Sequence, residues 1–349
     1  MAVGQGALIS GLSYLAVGRE IARGTYSTCT AGVDFLSCSW KTMIENKTLE
    51  AVQRSRTHSR HQQGGKTVEG EMEFYYEPRL DSCNFILQQF FGGTVTSATA
   101  TGETAGGAAF THTFNIGNMD NSYPSLCMNH RKGPATTGKI FEYTGVHIDE
   151  LLFTAELNES LKAKATAVAF NSTITSNNVE TASAIPTSTA LSFVSGRFSV
   201  ESTFAGLTTT SFWHVQSIEF GHANSLKKDD DSRRIGSNLL QISPPGIAKF
   251  TLNCKIRFDT TTAYDAMLAA TELAGEVEFL GPTLPGSSIR QGIKFQWPKV
   301  VVMESGDPEI GGPDEMLTSE ISFNVLRDDS SATGYACRAL VTNIKANYD

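Results

Sequence analysis

Polar and apolar residues alternate along most of the chain, which is the pattern of strands rather than helices. The apolar segments are short, rich in Val, Ile, Thr and Phe, and bounded by clusters of Gly, Asn and Ser. In residues 68–77, for example, Val, Gly, Met, Phe and Tyr alternate with four glutamates and a tyrosine, and residues 248–257 alternate in the same way. A period of two gives each strand one wet face and one core face. The sequence therefore predicts a mainly β protein.

Two segments, 81–91 and 259–272, carry a helical pattern instead. Each begins at an aspartate that can serve as an N-cap, and each is followed by glycine. We expect the apolar faces of these helices to cover the sheets.

The surroundings of the two helices are similar, 178 positions apart. Arg79-Leu80-Asp81 begins the first, Arg257-Phe258-Asp259 begins the second, and the alternating strands before them keep the same parity at that spacing. Further on, the aromatic pattern of residues 141–146 returns in residues 295–300 at the shorter spacing of 154. We interpret this as an internal duplication. The first copy then carries extra residues, for which the Thr/Gly/Ala-rich segment 94–107 is the expected surface excursion.

The stretch 171–189 is dense in Ser, Thr and Asn and is the best linker candidate. We place a first domain at 1–175, a linker at 176–190 and a second domain at 191–349. Each domain is expected to be a β-sandwich or half-barrel with one flanking helix.

Composition narrows the classes of function. The chain has 349 residues, of which 40% are hydrophobic and 18% charged, enough for a sizeable core in about two domains. Its net charge of −8 argues against a dedicated nucleic-acid binder. The six scattered cysteines form no CxxC pair and are expected to be reduced and buried. We expect no secretory signal and no membrane insertion by this chain.

A search for catalytic or metal-binding chemistry finds no complete motif. His58 and His61 have zinc-like spacing but lie among Arg and Lys, which disfavour a cation. Asp229–Asp231 lack the spacing of a calcium loop, and the carboxylates between 304 and 315 are more typical of a soluble loop than of a catalytic pair. We expect no enzyme activity and no cofactor.

Two long loops carry more information. Loop 46–66 is basic and loop 222–243 has mixed charge. Such insertions in a β protein are either solvated excursions or functional segments, here for docking onto another subunit. The candidate residues for ring stacking or inter-subunit contact are Arg54, Arg56, Arg60, Lys66, Lys227, Lys228, Asp229, Asp230, Asp231, Arg233 and Arg234.

Several short motifs, in this order, resemble the major tail tube proteins of siphophages. They are Gly18-Arg19-Glu20, Gly24-Thr25-Tyr26, the strand 70–74 before the first helix, Ser122-Tyr123-Pro124-Ser125-Leu126, and the segment Phe141–Leu151 with its Thr-Gly-Val centre. The resemblance covers residues 1–170 directly and most of the rest through the repeat. The chain departs from single-fold members in having two copies.

The resemblance implies a subunit of stacked rings around a channel for the viral genome. Rings of about six folds would then need three duplicated chains, with pseudo-sixfold symmetry, and their sheets would close into one large β-barrel. Implied partners are further copies of the chain, other tail proteins at the tube ends, and double-stranded DNA in transit. The implied location is the virion tail, after assembly in the host cytoplasm.

A channel for DNA must not hold its cargo, so an acidic or neutral wall suits it. We therefore expect Glu69, Glu71, Glu73 and Glu77 to face the channel. The matching strand of the second half carries Lys249, Lys255 and Arg257. Either acidic and basic strips alternate around the channel, or the two strands face different surroundings.

Other functions remain open at this point. One alternative is a distal tail or adaptor ring, or a capsid decoration protein, built from similar sandwiches. The other is a β-sandwich hydrolase that acts on glycans.

Overall fold

A computed structural model describes most of the chain. The described residues are 13–48, 61–92, 95–103, 107–116, 124–133, 138–175, 190–207, 212–258, 261–306, 316–329 and 334–348. They are mainly β, as predicted.

Among the described residues, ten strands and one α-helix precede residue 176. In chain order they are β1 (Tyr14–Arg19), β2 (Ala31–Val33), β3 (Phe35–Thr48), β4 (His61–Tyr75), α1 (Asp81–Phe91), β5 (Val95–Thr99), β6 (Phe110–Asn115), β7 (Leu126–Lys132), β8 (Lys139–Glu156), β9 (Lys162–Ala169) and β10 (Asn171–Thr175).

The remaining described strands and the second α-helix follow residue 190. They are β11 (Gly196–Glu201), β12 (Val215–Ala223), β13 (Lys249–Arg257), α2 (Thr262–Leu268), β14 (Glu272–Thr283), β15 (Arg290–Ser305), β16 (Thr318–Leu326) and β17 (Arg338–Asn343).

Eight of the strands form one antiparallel sheet, which we call the main sheet. Its order is β3-β4-β9-β8-β12-β13-β16-β15. The first four strands come from the first half of the chain and the last four from the second, and β8 and β12 join the halves edge to edge. The main sheet is therefore two similar four-stranded units laid side by side.

A second layer covers one face of the main sheet. In the first half it has the order β2-β1-β7-β8-β10. In the second half it has the order β11-β14-β15-β17-β6-β5. The long strands β8 and β15 run through both layers, so each half has sandwich character. One apolar cluster, with members from Leu15 to Val341, extends through both halves.

Three β-bulges recur in the two halves, which supports the duplication. The bulge of β3, between Phe35 and Ser37, returns in β12 between Val215 and Ser217. The bulge of β7 after Leu126 returns in β14 after Leu273. The bulge of β8, at residue 149, returns in β15 at residue 303, which agrees with the spacing of 154 read from the sequence. Bulges alter the ladder locally, so matched bulges mark matched positions.

The spacing of 178 needs a correction in the strands. Ser37 lies opposite Glu73 in the first hairpin, and Ser217 lies opposite Lys255 in the second. The counterpart of Glu73 is therefore Lys255, 182 positions later, rather than Thr251. Because the difference of four is even, the predicted parity of wet and core faces is unchanged.

The first helix lies as predicted and the second is shorter. α1 ends at Gly92 in the left-handed conformation, with φ 63°, as expected for a C-terminal glycine. Leu80 rather than Asp81 holds the N-cap position, and Asp81 lies in the first turn, where its charge still favours the helix dipole. α2 covers Thr262–Leu268, and its C-terminal end falls short of the predicted residue 272, where β14 already begins. Asp259, the predicted N-cap, lies outside the described residues.

Two loop predictions are also corrected. The start of the predicted linker, residues 171–175, is strand β10, paired with β8. The expected excursion 94–107 contributes β5, and the β5–β6 hairpin is joined to the second half through β6 and β17. The extra residues of the first half therefore extend the sheet of the second. The domain bounds stay a prediction.

Candidate channel and assembly surfaces

The main sheet has one covered face and one exposed face. In β4, Met72 and Phe74 are buried against the second layer, whereas Glu71 and Glu73 point the other way. Cross-strand register continues this face over all eight strands, for example from Ser39 through Glu71 and Thr166 to Glu150. It is covered at one place, where Val168, opposite Glu69, is buried with Leu240. We call it the bare face.

The bare face carries more acidic than basic side chains. The acidic residues are Glu69, Glu71, Glu73, Glu150, Glu156, Glu219, Glu304 and Glu320. The basic residues are Lys41, Lys162, Lys164, Lys249, Lys255 and Arg257. Charges of both signs are therefore mixed across it.

Ion pairs occupy several of the basic groups. Lys164 Nζ lies 2.7 Å from Glu71 Oε1, and Lys228 Nζ lies 2.9 Å from Glu69 Oε1. The hydrogen bond to Glu71 raises the pKa of Lys164. Burial and the neighbouring Asp149 raise the pKa of Glu150. Lys164 and the loop residue Lys228 are thus paired with carboxylates of the bare face, and Glu150 lies beside a further carboxylate.

Three of the four predicted channel glutamates share this face, and Glu77 does not. Glu77 lies beyond the end of β4 and is only 3% exposed. Burial, and then the charge of Asp34, raise its pKa to about 7. The alternation ends with the strand at Tyr75, where the chain turns towards α1.

Loop 224–248 of the second half packs on the first half of the same chain. Arg233 donates from Nη1 to the carbonyl of Lys66 at 2.9 Å and from Nη2 to Thr67 Oγ1 at 2.8 Å. Gly65 makes room, because a Cβ there would lie 2.7 Å from the guanidinium carbon. Leu240 is buried with Val168 and Phe170. Of the predicted inter-subunit residues, Lys66, Lys228 and Arg233 are therefore engaged within the chain.

The other residues of that prediction divide into two groups. Lys227, Asp229, Asp230, Asp231 and Arg234 are exposed, and Asp230 lies 3.6 Å from Arg233. Arg54, Arg56 and Arg60, like His58, lie outside the described residues.

The two halves meet where β8 pairs with β12, and the sequence did not single out this junction. β8 and β12 pair from Glu150 opposite Ala223 to Glu156 opposite Ser217. The end of α1 covers the junction, with the ring of Phe90 4.1 Å from that of His222. Asn224 Nδ2 donates to the carbonyl of Phe90 at 3.0 Å.

Both outer edges of the main sheet lack a strand partner among the described residues. β3 pairs only with β4. Residues 302–305 of β15 pair only with β16. β3 matches β12 and β15 matches β8. Glu304 and Ser305 are the described counterparts of Glu150 and Leu151, the first β8 residues of the junction.

Edge strands without partners invite pairing with another chain. A sheet of two similar units, with complementary open edges and one bare polar face, is suited to continue from copy to copy. A model of the phage tail tube protein family matches residues 12–325. The chain belongs to the phage tail tube protein family. It is a structural component of a bacteriophage tail and not an enzyme.

Two further comparisons concern this tail tube protein. A solved structure described as the crystal structure of Hcp protein is similar at 11% identity, over 37% of this chain and 86% of its own, with a TM-score of 0.24. No curated protein matches.

The described ranges contain neither a membrane-spanning helix nor a cluster of metal-ligating side chains. No helix there is long and apolar enough to span a membrane. No group of three or more His, Cys, Asp or Glu there could hold a metal ion.

Proposed function

We propose that three copies of this chain close into a ring, and that stacked rings form the tube through which the genome passes. The observation that carries the proposal is the junction between β8 and β12, together with the open edges of β15 and β3. The same contact, made between chains, would continue the main sheet without an end. A head-to-tail contact of this kind closes into a ring when its rotation allows.

The matched bulges give the register of the contact between chains. Ala223 corresponds to Met43 of β3, and Glu150 corresponds to Glu304 of β15. In the ring, Met43 of one copy therefore lies opposite Glu304 of the next, and Thr42 lies opposite Ser305. Eight strands from each of three copies make the wall, with alternating junctions within and between chains.

The bare face forms the channel wall in this ring. Its other side is already covered by the second layer and α1, so the part of the bare face outside the contact with loop 224–248 is left for the bore. DNA is retained chiefly by Lys and Arg contacts to phosphate. The excess of carboxylates and the pairing of Lys162 and Lys164 reduce the number of cations available for such contacts.

The wall of this ring carries charges of both signs, which is the first of the two alternatives that the sequence left open. Glu71 and Glu73 correspond to Asn253 and Lys255. The six folds of the ring therefore alternate between a more acidic and a less acidic strip. We retain Glu69, Glu71 and Glu73 as channel residues and omit Glu77.

The proposal extends to the setting of the tube. The chain would assemble in the host cytoplasm, contact other tail proteins at the tube ends, and serve a long-tailed phage of the siphovirus type. The exposed residues Lys227, Asp229, Asp231 and Arg234 remain candidates for contacts between rings.

Electron microscopy of the purified protein tests the proposal. We expect rings that stack into tubes, with a mass of three chains per ring. Isolated rings that never stack would favour an adaptor ring instead. A protein that stays monomeric at all concentrations would contradict the proposal.

A further inference from the structure

Within the chain, helix α1 seals the outer side of the junction between the halves. Phe90, His222 and Asn224 are all at most 3% exposed there. Asn224 donates from its backbone N to the carbonyl of Asp149 at 2.6 Å, beside the bulge of β8. The junction thus brings together a helix end, a bulge residue, His222 of the incoming strand and Asn224 just after that strand.

Helix α2 takes the corresponding place in the second half, but no other part of the described chain covers its outer surface. α2 packs on β15, as α1 packs on β8. Leu268 lies at the C-terminal end of α2, as Phe90 lies near the C-terminal end of α1, and it is 68% exposed. Met303, at the bulge that corresponds to Asp149, is 62% exposed. Two large apolar side chains, Leu268 and Met303, are therefore uncovered near the open edge of β15.

The open strand β3 offers the matching surface. With the bulges aligned, His222 corresponds to Thr42 and Asn224 to Ile44. Ile44 is 41% exposed. Thr42 and Ile44 point to the same side of β3, away from the bare face, because they alternate with Lys41 and Met43.

We propose that Leu268 and Met303 of one copy pack against Thr42 and Ile44 of the next copy. The inference rests on the proposed ring and adds the contact on its outer side. A second copy is the occupant because the edge register that pairs Met43 with Glu304 also brings Ile44 beside Met303, as Asn224 lies beside Asp149. The contact between chains is apolar, whereas an asparagine clamps the contact within the chain.

This difference gives the ring two kinds of seam. The seam within a chain is sealed by a buried aromatic cluster that forms as the chain folds. The seam between chains is sealed by side chains that stay exposed until the copies meet. Burial of these apolar side chains at the second seam favours association. The single chain need not change its fold to make this contact.

Engineered cysteines test the contact directly. We expect the double variant Leu268→Cys, Ile44→Cys to form disulfide-linked dimers and trimers under mild oxidation, seen on non-reducing gels. The matched control is Thr262→Cys with Ile44→Cys, since Thr262 is exposed on the same helix about 9 Å further along its axis. The linked fraction should be at least fivefold higher in the first variant. Each single variant controls for the native cysteines.

A second variant measures what the contact contributes. Leu268→Asp should reduce ring formation at least tenfold and leave the circular dichroism and melting temperature of the single chain unchanged, because Leu268 is exposed there. Rings with equal cross-linking of both cysteine pairs, or normal rings from Leu268→Asp, would overturn this contact and leave the proposed function standing. If the unmodified protein forms no rings, the proposed function and this contact both fail.

Discussion

Glu77 illustrates at the level of a single residue what alternation can and cannot reveal. Alternation placed Glu69, Glu71 and Glu73 correctly on the exposed side of β4. It placed Glu77 on the same side, but the strand ends at Tyr75 and the amide of Leu80 bonds to the carbonyl of Glu77 in a turn. A pattern of period two predicts the face of a residue only as long as the strand continues.

The raised pKa of Glu77 predicts a pH dependence of stability. Its pKa rises from 4.5 to about 7 in the folded chain, so folding favours the neutral carboxyl. The stabilising contribution is complete below about pH 4.5 and is lost as the pH rises through 7. Glu77→Gln should therefore raise the free energy of unfolding at pH 8, by up to about 3 kcal/mol.

Urea unfolding of both proteins at pH 5 and pH 8 measures this effect. Glu71→Gln, on the exposed face, serves as the control and should give no comparable gain. An equal difference between Glu77→Gln and the unmodified protein at both pH values would contradict the assigned titration.

Arg233 marks another limit of sequence reasoning. Its charge suggested contact with another subunit, whereas its partners Lys66 and Thr67 belong to the same chain and lie far away in the sequence. They meet only because β12 pairs with β8 and carries its loop over the first half. The absence of a side chain at Gly65 completes the site. No local pattern encodes such a contact.

At the scale of elements, the strands and α1 followed from the sequence, and the extent of α2 did not. α1 buries eight of its residues, which gave its sequence a clear apolar face. α2 fully buries only Ala263, with Ala266 and Met267 partly buried against the core. The apolar residue Leu268 on its outer side therefore has no role in packing within the chain. We attribute its exposed Leu268 to a partner that the single chain lacks.

A matched pair of substitutions separates the two helices. Phe90→Ala should lower the free energy of unfolding of the single chain by about 3–5 kcal/mol, because it leaves a cavity beside His222. Leu268→Ala should change it by less than about 0.5 kcal/mol, as expected for an exposed site. Chemical unfolding below the concentration at which rings form provides both values. Equal losses would contradict the assignment of Leu268 to a contact between chains.

The repeat was visible in the sequence, but its register was not. Identities around the helices suggested a single spacing of 178, whereas the bulges give 180 for β3 and β12 and 182 for β4 and β13. From β3 through β4 to α1 the spacing changes only by even numbers, so the predicted face of each side chain in these strands is kept. The alternation of wet and core faces is unaffected by such changes in spacing. A comparison of the two halves without gaps does not detect the changes.

At the scale of the whole molecule, the charge of the bare face predicts how the tube treats DNA. Changing Glu69, Glu71 and Glu73 together to Lys should make tubes retain linear double-stranded DNA, with strong dependence on salt. The corresponding change to Gln frees the same native lysines but adds no new cations. It should therefore have a much smaller effect.

Co-sedimentation of DNA with the tubes over a range of salt concentrations measures retention. Electron microscopy of each variant confirms that tubes still form. Equal retention by the Lys and Gln variants would contradict the placement of the bare face at the bore.

The central claim is that the fold continues from chain to chain by repeating its own internal junction. A cryo-electron microscopy reconstruction of the assembled rings, at a resolution that separates strands, tests it most directly. We expect three chains, an uninterrupted wall, and β3 of one copy antiparallel to β15 of the next with Met43 opposite Glu304. A ring of six chains, or a wall in which these two edges remain unpaired, would contradict the account.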